Sequence, residues 1–368
     1  MTDYATHSST DPTDESDPTV PTTATGETDP TDETTPTDET GSETDSTAES
    51  DPNGETEPTD GDDSSSASHF LQIDDLSADE LAELISTAAE LKAAHRTGKD
   101  HAVLPNHSLA MLFEKPSTRT RVSFETGMTQ LGGHAVYLGP DTTHLDHGEP
   151  VADTARALSR YVDAVMARVF DHEAIETMAE YATVPVVNGL SDAAHPCQTL
   201  ADLFTIYEEF GGFEDVSVAW VGDGNNVGQS FAVGAAMAGL DLTMATPEEY
   251  APDESVLARA EACGEAPEVV HDPEEAVEGA DVVYTDVWVS MGEGDVRAEK
   301  LADFEGFQVN DDLLAAAPEA TVMHCLPAHR GEEITGSVLE SDQSVVWEQA
   351  ENRMHTQKAL LVGLLGEE

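Results

Sequence analysis

From Phe70 onward, short apolar segments alternate with segments whose apolar residues recur every three or four positions. The apolar segments have the length of buried strands, and the others have the periodicity of amphipathic helices. Such alternation is typical of parallel sheets, because a strand that re-enters a sheet in the same direction needs a crossover, usually a helix. The pattern fills two successive stretches. It therefore predicts an α/β protein with two doubly wound, parallel-sheet domains.

The first stretch predicts one α/β domain over residues 69–195. It begins with an amphipathic helix for which Ser77, three residues before Glu80, is the expected N-cap. Helical patterns then separate the predicted strands, which are residues 108–116, 134–139, 163–169 and 183–189.

The second stretch follows a helical segment bounded by Pro196 and Gly211. Its predicted strands are residues 216–222, 240–246, 281–289 and 321–327. A final helical pattern begins near Glu351. These elements predict a second parallel sheet.

Residues 1–68 have a different composition. They consist mainly of Thr, Asp, Glu, Ser, Pro and Gly, with 20 acidic side chains and no Lys or Arg. Almost no aliphatic residue is available for burial, so nothing offsets the conformational entropy that folding would cost. We predict a disordered acidic tail.

The acidity extends beyond this tail. Of 75 acidic side chains, 55 lie after residue 68, where all 15 basic side chains are found, so the net charge there is near −40. Carboxylates repel one another over a Debye length of about 8 Å at physiological ionic strength, and over about 3 Å at 1 M salt. A high-salt cytoplasm is the simplest explanation, and an acidic protein of an ordinary cell is the alternative. The charge excludes a nucleic-acid binder.

Other sequence features predict a cytoplasmic protein with reduced thiols. The N-terminus has neither the apolar run of a signal peptide nor the arginines of a transit peptide. The three cysteines, Cys197, Cys263 and Cys325, lack the CxxC spacing of a structural zinc site.

The segment from Ser117 to Thr120 comes where a predicted strand passes into a helix. Free backbone N–H groups, three hydroxyls and the guanidinium of Arg119 can converge there on one phosphate. The alternative is an ordinary Ser/Thr N-cap with surface arginines, and Arg121 fits that structural role better.

Six segments together resemble the transcarbamylases, and within them the ornithine carbamoyltransferases. They are FEKPSTRTR, HPCQTLAD (195–202), GDGNN (222–226), DVWVSMGE (286–293), HCLPAHRGEE (324–333) and AENRMHTQKA (350–359). Their order and separation match that family over essentially all of residues 69–368. The resemblance implies transfer of a carbamoyl group from carbamoyl phosphate to L-ornithine by direct attack of its side-chain amine, giving L-citrulline and phosphate.

The resemblance also implies the site residues. It places carbamoyl phosphate on Ser117, Thr118, Arg119, Thr120, Arg168, His195, Gln198, Cys325, Leu326 and Arg353. It places ornithine on Asn226, Asp286, Ser290 and Met291. The implied catalytic residues are Arg119, His195, Cys325 and Arg353. The implied domains are a carbamoyl phosphate domain (69–195), an ornithine domain (196–345) and a C-terminal helix (346–368) that packs back on the first domain.

Three alternatives stay open at this point. GDGNNVG is similar to a dinucleotide fingerprint, although its spacing is GxGxxxG, and an NAD-dependent dehydrogenase would need it. A transferase acting on another amine, such as putrescine, is closer to the family. A non-catalytic acidic scaffold would use the tail to bind basic partners.

We expect no cofactor and no metal, because no further Cys or His lies at ligand spacing from His324 and Cys325. The resemblance also implies a homotrimer, with active sites near subunit interfaces. Many family members carry a Gln that reaches a neighbouring subunit, where this chain has Asp141 and Thr142. That loop is therefore not assigned to the site.

Overall fold

The computed structural model describes residues 68–142, 148–290 and 296–366. Apart from Ser68, the predicted acidic tail lies outside the described residues. Within them the chain forms two parallel sheets covered by helices on both faces, which confirms the predicted fold class.

The first sheet contains the strands β1 (Ser108–Phe113), β2 (His134–Leu138), β3 (Ala164–Arg168) and β4 (Val186–Leu190). Their order is β2-β1-β3-β4, and every neighbouring pair is parallel. All five residues of β3 are buried, as expected of a strand covered on both faces.

The helices of this half are α1 (Ala78–Arg96), α2 (Thr118–Gln130), α3 (Val151–Leu158), α4 (His172–Tyr181) and α5 (Pro196–Phe210). Helix α1 begins with the predicted capping box, in which Ser77 and Glu80 satisfy each other's backbone N–H groups. Helix α5 ends at Gly211, whose positive φ of 77° is unstrained because glycine has no Cβ.

The second sheet contains the strands β5 (Ser217–Val221), β6 (Asp241–Ala245), β7 (Glu268–Val270), β8 (Val282–Thr285) and β9 (Thr321–His324). Their order is β7-β6-β5-β8-β9, again with parallel neighbours. The accompanying helices are α6 (Asn226–Ala238), α7 (Glu254–Cys263), α8 (Pro273–Val277), α9 (Arg297–Asp303), α10 (Asp311–Leu314), α11 (Gly336–Leu339) and α12 (Val346–Leu365).

The predicted strand 281–289 is shorter in the structure. Pairing with β9 ends at Thr285, whose hydroxyl donates to the Val221 carbonyl at 2.6 Å, and the chain then leaves the sheet. The apolar residues after it pack as a loop, with Trp288 stacked on Phe304 at 5.3 Å between ring centroids. Asp286 is thereby turned out of the sheet.

One hydrophobic core lies between the two sheets and is shared by them. It contains residues of both sheets and of helices α5 and α6. Met111 and Met166 come from the first sheet, and Trp220 and Tyr284 come from the second. Helix α12 packs against α1, α2 and α5. The carboxyl ends of the central strands of both sheets consequently open on one common space.

Candidate active site

A cavity of about 690 Å³ occupies that space at the carboxyl ends of the strands. Every predicted site residue that the structure describes lines it, namely Ser117, Thr118, Arg119, Thr120, Arg168, His195, Gln198, Asn226, Asp286, Ser290, Cys325, Leu326 and Arg353. Met291 lies outside the described residues, as does the side chain of Thr142. Asp141 is exposed and does not line the cavity.

Helix α2 points its N-terminus into the cavity. Its N-cap is Ser117, whose Oγ accepts a hydrogen bond from the Thr120 amide at 3.3 Å. The capping role and the phosphate-binding role, treated as alternatives in the sequence, are therefore compatible, because the remaining N–H groups and the helix dipole still face the cavity. Arg121 turns outward to pair with Glu125 at 3.2 Å, as its predicted structural role requires.

Three guanidinium groups converge on the same end of the cavity. Arg119 donates to the Leu326 carbonyl at 2.8 Å, while the Nε atoms of Arg168 and Arg353 are buried without a hydrogen-bond partner among the described residues. Burial, then the charges of Arg353 and Arg119, lowers the pKa of Arg168 to about 9. This end of the cavity is therefore suited to an anion with more than one negative charge.

Arg353 connects α12 to the other helices of the site. Its Nη2 donates to Thr120 Oγ1 at 3.1 Å, and its Nη1 donates to Gln198 Oε1. The same Nη1 lies 3.5 Å from His195 Nε2. One guanidinium thus joins α2, α5 and α12 at a single point.

His195 is a buried, neutral imidazole. Its backbone N–H donates to Ser230 Oγ at 2.8 Å, which fixes the residue before α5. Burial lowers its pKa well below the usual value, and Arg353, Arg168 and Arg119 lower it further. A neutral ring can donate one hydrogen bond to a substrate oxygen without acting as a cation.

The same cavity also carries an acid. Asp286, only 5% exposed, accepts from Cys325 Sγ at 2.8 Å and from Asn225 Nδ2 at 3.0 Å. Burial, followed by the Asp286 charge, raises the pKa of Cys325 well above that of a free thiol. Cys325 is therefore a neutral donor at this position and not a thiolate.

Comparison with known proteins gives the family of this chain. The family model for the aspartate/ornithine carbamoyltransferase carbamoyl-P binding domain matches residues 68–208, and the model for the Asp/Orn binding domain matches residues 214–364. The chain belongs to the aspartate/ornithine carbamoyltransferase family. The resemblance found in the sequence is thus confirmed, and this chain is a carbamoyltransferase by family.

Several relatives of this carbamoyltransferase are named ornithine carbamoyltransferase. The protein of Haloquadratum walsbyi is 62% identical over 301 residues, which cover 82% of this chain and 99% of the relative. That of Archaeoglobus fulgidus is 54% identical over 301 residues, covering 82% and 98%. The crystallised enzyme of Pyrococcus furiosus superposes with a TM-score of 0.78 at 52% identity, covering 81% of this chain and 96% of the other.

The glycine-rich turn of this carbamoyltransferase is filled by the protein itself. Asn225 Oδ1 accepts from the N–H groups of Val227 and Gly228 at 2.9 and 3.1 Å, which a pyrophosphate would otherwise use. A Cβ on Gly224 would come within 2.6 Å of the Tyr250 carbonyl, so this glycine accommodates a protein backbone. The dinucleotide interpretation does not fit this turn.

Asp286, His324 and Cys325 place possible metal-ligand atoms within 4.8 Å of one another. His324 Nδ1 accepts from the Leu326 amide at 2.8 Å, and Nε2 lies 3.1 Å from Glu333 Oε1. Both ring nitrogens are therefore used by the protein, and the arrangement does not suit a metal ion.

Asn225 and Lys115 are among the lining residues that were missed in the sequence. Asn225 was passed over in favour of Asn226, yet it holds Asp286, whereas Asn226 donates to the Ser191 carbonyl at 2.6 Å. Lys115 precedes the segment from Ser117 to Thr120, and its Nζ lies 4.3 Å from the Phe170 ring centroid. Burial lowers the pKa of Lys115. The sequence signal for both was their position within a quoted motif, FEKPSTRTR for Lys115 and GDGNN for Asn225. In the described part of the chain, no helix is both long and apolar enough to cross a membrane.

Proposed function

We propose that this family member is an ornithine carbamoyltransferase, which converts carbamoyl phosphate and L-ornithine to L-citrulline and phosphate. One observation carries the proposal. A single cavity is lined both by three guanidinium groups and by the Asp286 carboxylate. It therefore complements a dianion next to an amino acid that carries an ammonium group. The names of the relatives support the same substrates.

In this proposal the phosphate group binds at the N-terminus of α2. Ser117, Thr118, Arg119 and Thr120 hold its oxygens, and Arg168 contributes a second guanidinium. The carbonyl oxygen lies toward Thr120, His195 and Arg353, which are already hydrogen-bonded or close to one another. Donors held in place before the reaction stabilise an oxyanion without reorganisation, and such donors are worth roughly 3–4 kcal/mol each.

Ornithine binds beside Asp286. Asp286 receives the α-ammonium, with Asn226, Ser290 and Met291 beside it, and the side-chain amine extends toward Cys325 and Leu326. The uncharged amine attacks the carbamoyl carbon, a C–N bond forms, and the C–O bond to phosphate breaks. The proton lost by the amine nitrogen goes to the departing phosphate, which leaves as hydrogen phosphate. The chain's own contribution is orientation and oxyanion stabilisation.

The organisation expected from the sequence belongs to the same proposal. Residues 69–195 would bind carbamoyl phosphate, residues 196–345 would bind ornithine, and residues 346–368 would bring Arg353 to the first domain. The family resemblance supports a homotrimer. The charge of −60 and the 62% identity to a protein of Haloquadratum walsbyi support a cytoplasm of high salt.

The test is citrulline and phosphate formation by the purified chain in molar KCl, with ornithine and with putrescine as acceptors. We expect equal amounts of citrulline and phosphate, and a strong preference for ornithine. Arg353→Met, which keeps an unbranched apolar stem but removes the guanidinium group and its charge, is the inactive control. A folded wild-type protein that makes no citrulline, or that uses putrescine equally well, would contradict the proposal.

A further inference from the structure

A buried carboxylate lies directly behind the cavity. Asp202 is on α5, one turn after Gln198, so both side chains lie on the same face of the helix. Asp202 is fully buried and accepts hydrogen bonds from Gln198 Nε2 at 2.7 Å, Gln349 Nε2 at 2.7 Å and the Tyr284 hydroxyl at 2.9 Å. It does not line the cavity itself.

These contacts fix which way the Gln198 amide points. Asp202 Oδ1 accepts from both Gln198 and Gln349, so it is an acceptor even when Oδ2 carries a proton, and Gln198 must turn its NH₂ group toward it. Its Oε1 then faces the cavity, where it accepts from Arg353 Nη1. In the reversed amide, Oε1 would meet a carboxylate oxygen and the NH₂ group would meet a guanidinium, so both contacts would be repulsive.

The orientation matters because a carbamoyl group has two different sides. Its carbonyl oxygen only accepts hydrogen bonds, and its NH₂ group here acts as a donor. Thr120, His195 and Arg353 offer donors for the carbonyl oxygen. Gln198 Oε1 is an acceptor on the wall between His195 and Arg353, within reach of the NH₂ side.

We propose that Asp202 is a positioning residue for substrate selection. By holding the Gln198 oxygen toward the cavity, it makes the site prefer the carbamoyl group to an acyl group of the same shape without N–H, such as that of acetyl phosphate. If a methyl group replaced the NH₂ group, the Gln198 oxygen would lose its hydrogen-bond donor in a desolvated site, which costs binding free energy. Sites that bind a substrate N–H in this way strongly reject analogues that lack it. The inference rests on the proposed function, because it places the carbamoyl end beside Gln198.

The energetic cost of Asp202 supports a role beyond packing. Burial raises its pKa to about 7, although the hydrogen bonds from Gln349, Gln198 and Tyr284 oppose the shift. No Lys or Arg forms an ion pair with this carboxylate in the described part of the chain. A neutral amide of the same shape would fill the space at a lower desolvation cost.

The test is calorimetric binding of fresh carbamoyl phosphate, acetyl phosphate and inorganic phosphate to wild type and Asp202→Asn, in molar KCl. The Asn side chain can turn either its oxygen or its NH₂ group toward Gln198, so only Arg353 still holds the orientation of the Gln198 amide. We expect carbamoyl phosphate to bind about tenfold more weakly. Acetyl phosphate and inorganic phosphate should change less than about twofold, which would remove the preference for carbamoyl phosphate.

Two further variants separate positioning from folding. Tyr284→Phe removes another donor to Asp202 but keeps the contact with Gln198, so it should keep the wild-type ratio of the two affinities. In the double variant D202N/Q198E, the Asn amide can donate to one Glu oxygen while the other again faces Arg353, so the preference should return. Inorganic phosphate binding verifies that each variant is folded.

An unchanged ratio in D202N, or an equal loss for all three ligands that the double variant does not reverse, would overturn the role of Asp202. Failure of the proposed function has a different signature. In that case wild type itself would bind none of the three ligands and would form no citrulline.

Discussion

Cys325 Sγ donates a hydrogen bond of 2.8 Å to Oδ1 of Asp286. The thiol follows β9 and the carboxylate follows β8, so two neighbouring strands of the second sheet deliver the pair to the cavity. The other carboxylate oxygen is held by Asn225 Nδ2 at 3.0 Å. Asp286 is therefore fixed in position before any ammonium group approaches it.

Replacing this carboxylate should affect ornithine and not carbamoyl phosphate. Asp286→Asn keeps the shape but leaves the α-ammonium without a counter-charge in a desolvated site, a loss of roughly 2–5 kcal/mol. Steady-state kinetics should show kcat/KM for ornithine reduced by orders of magnitude. Calorimetric binding of carbamoyl phosphate should be nearly unchanged, and equal losses for both ligands would place Asp286 elsewhere in the mechanism.

Cys325→Ser should retain activity within about tenfold of wild type, because a hydroxyl can replace the thiol as donor to Asp286. The raised pKa keeps the thiol protonated, so it cannot serve as a nucleophile at neutral pH. Loss of activity by a thousandfold or more would show covalent catalysis instead. Iodoacetamide should label the exposed Cys263 of the native protein before Cys325, and unfolding should remove the difference.

Arg119→Lys should lower kcat/KM for carbamoyl phosphate by about 10- to 100-fold. Lysine keeps the charge but loses the planar fork, and a hydrogen bond to a charged group contributes about 1.5–3 kcal/mol. Arg121→Lys is the matched control, since Arg121 pairs with Glu125 outside the cavity and should tolerate the change. Similar kinetics for both variants would place the phosphate elsewhere.

The lowered pKa of His195 has a defined effect on stability. Below the unfolded pKa of about 6.5, the unfolded chain takes up a proton that the folded chain refuses. Stability should therefore be fully present above pH 6.5 and fall as the pH decreases below it. Between pH 8 and 5.5, the thermal stability of His195→Gln should decrease less steeply than that of wild type. The decrease that remains in the variant includes the contribution of His355, whose pKa is lowered to about 3. Parallel curves would argue against a neutral His195.

Salt dependence should originate in the chain after residue 68, where 55 acidic side chains face 15 basic ones. Activity and oligomer size should decrease together below about 1 M KCl as carboxylate repulsion becomes unscreened. A protein lacking residues 1–68 should behave like the full chain in both assays. Stability of the truncated protein in dilute buffer would identify the tail as the source of the requirement.

The sequence predicted the strands best where burial on both faces leaves a continuous apolar run, as in β3. It failed at residues 286–289, because an apolar loop packed on Phe304 has the same composition as a strand. Strand β7 has only three residues, too few for a pattern.

The site was predicted to the extent that its residues lie in motifs. Ser117, His195, Asp286 and Cys325 all line the cavity, because each follows the carboxyl end of a strand in a recognisable segment. The hydrogen-bond partners of Asp202 could not be predicted from the sequence. Its partners Tyr284 and Gln349 are 82 and 147 residues away in the chain, and only the fold brings them together.

The three guanidinium groups line a cavity in a chain whose net charge is −60, so we expect the electrostatic potential to change from negative at the surface to positive beside these groups. A dianion diffusing toward the cavity meets repulsion first and attraction only at the end. The repulsive zone extends about 10 Å in 0.1 M salt and about 3 Å in 1 M salt. Added salt should thus speed the capture of the anionic substrate, whereas electrostatically steered association ordinarily slows as ionic strength rises.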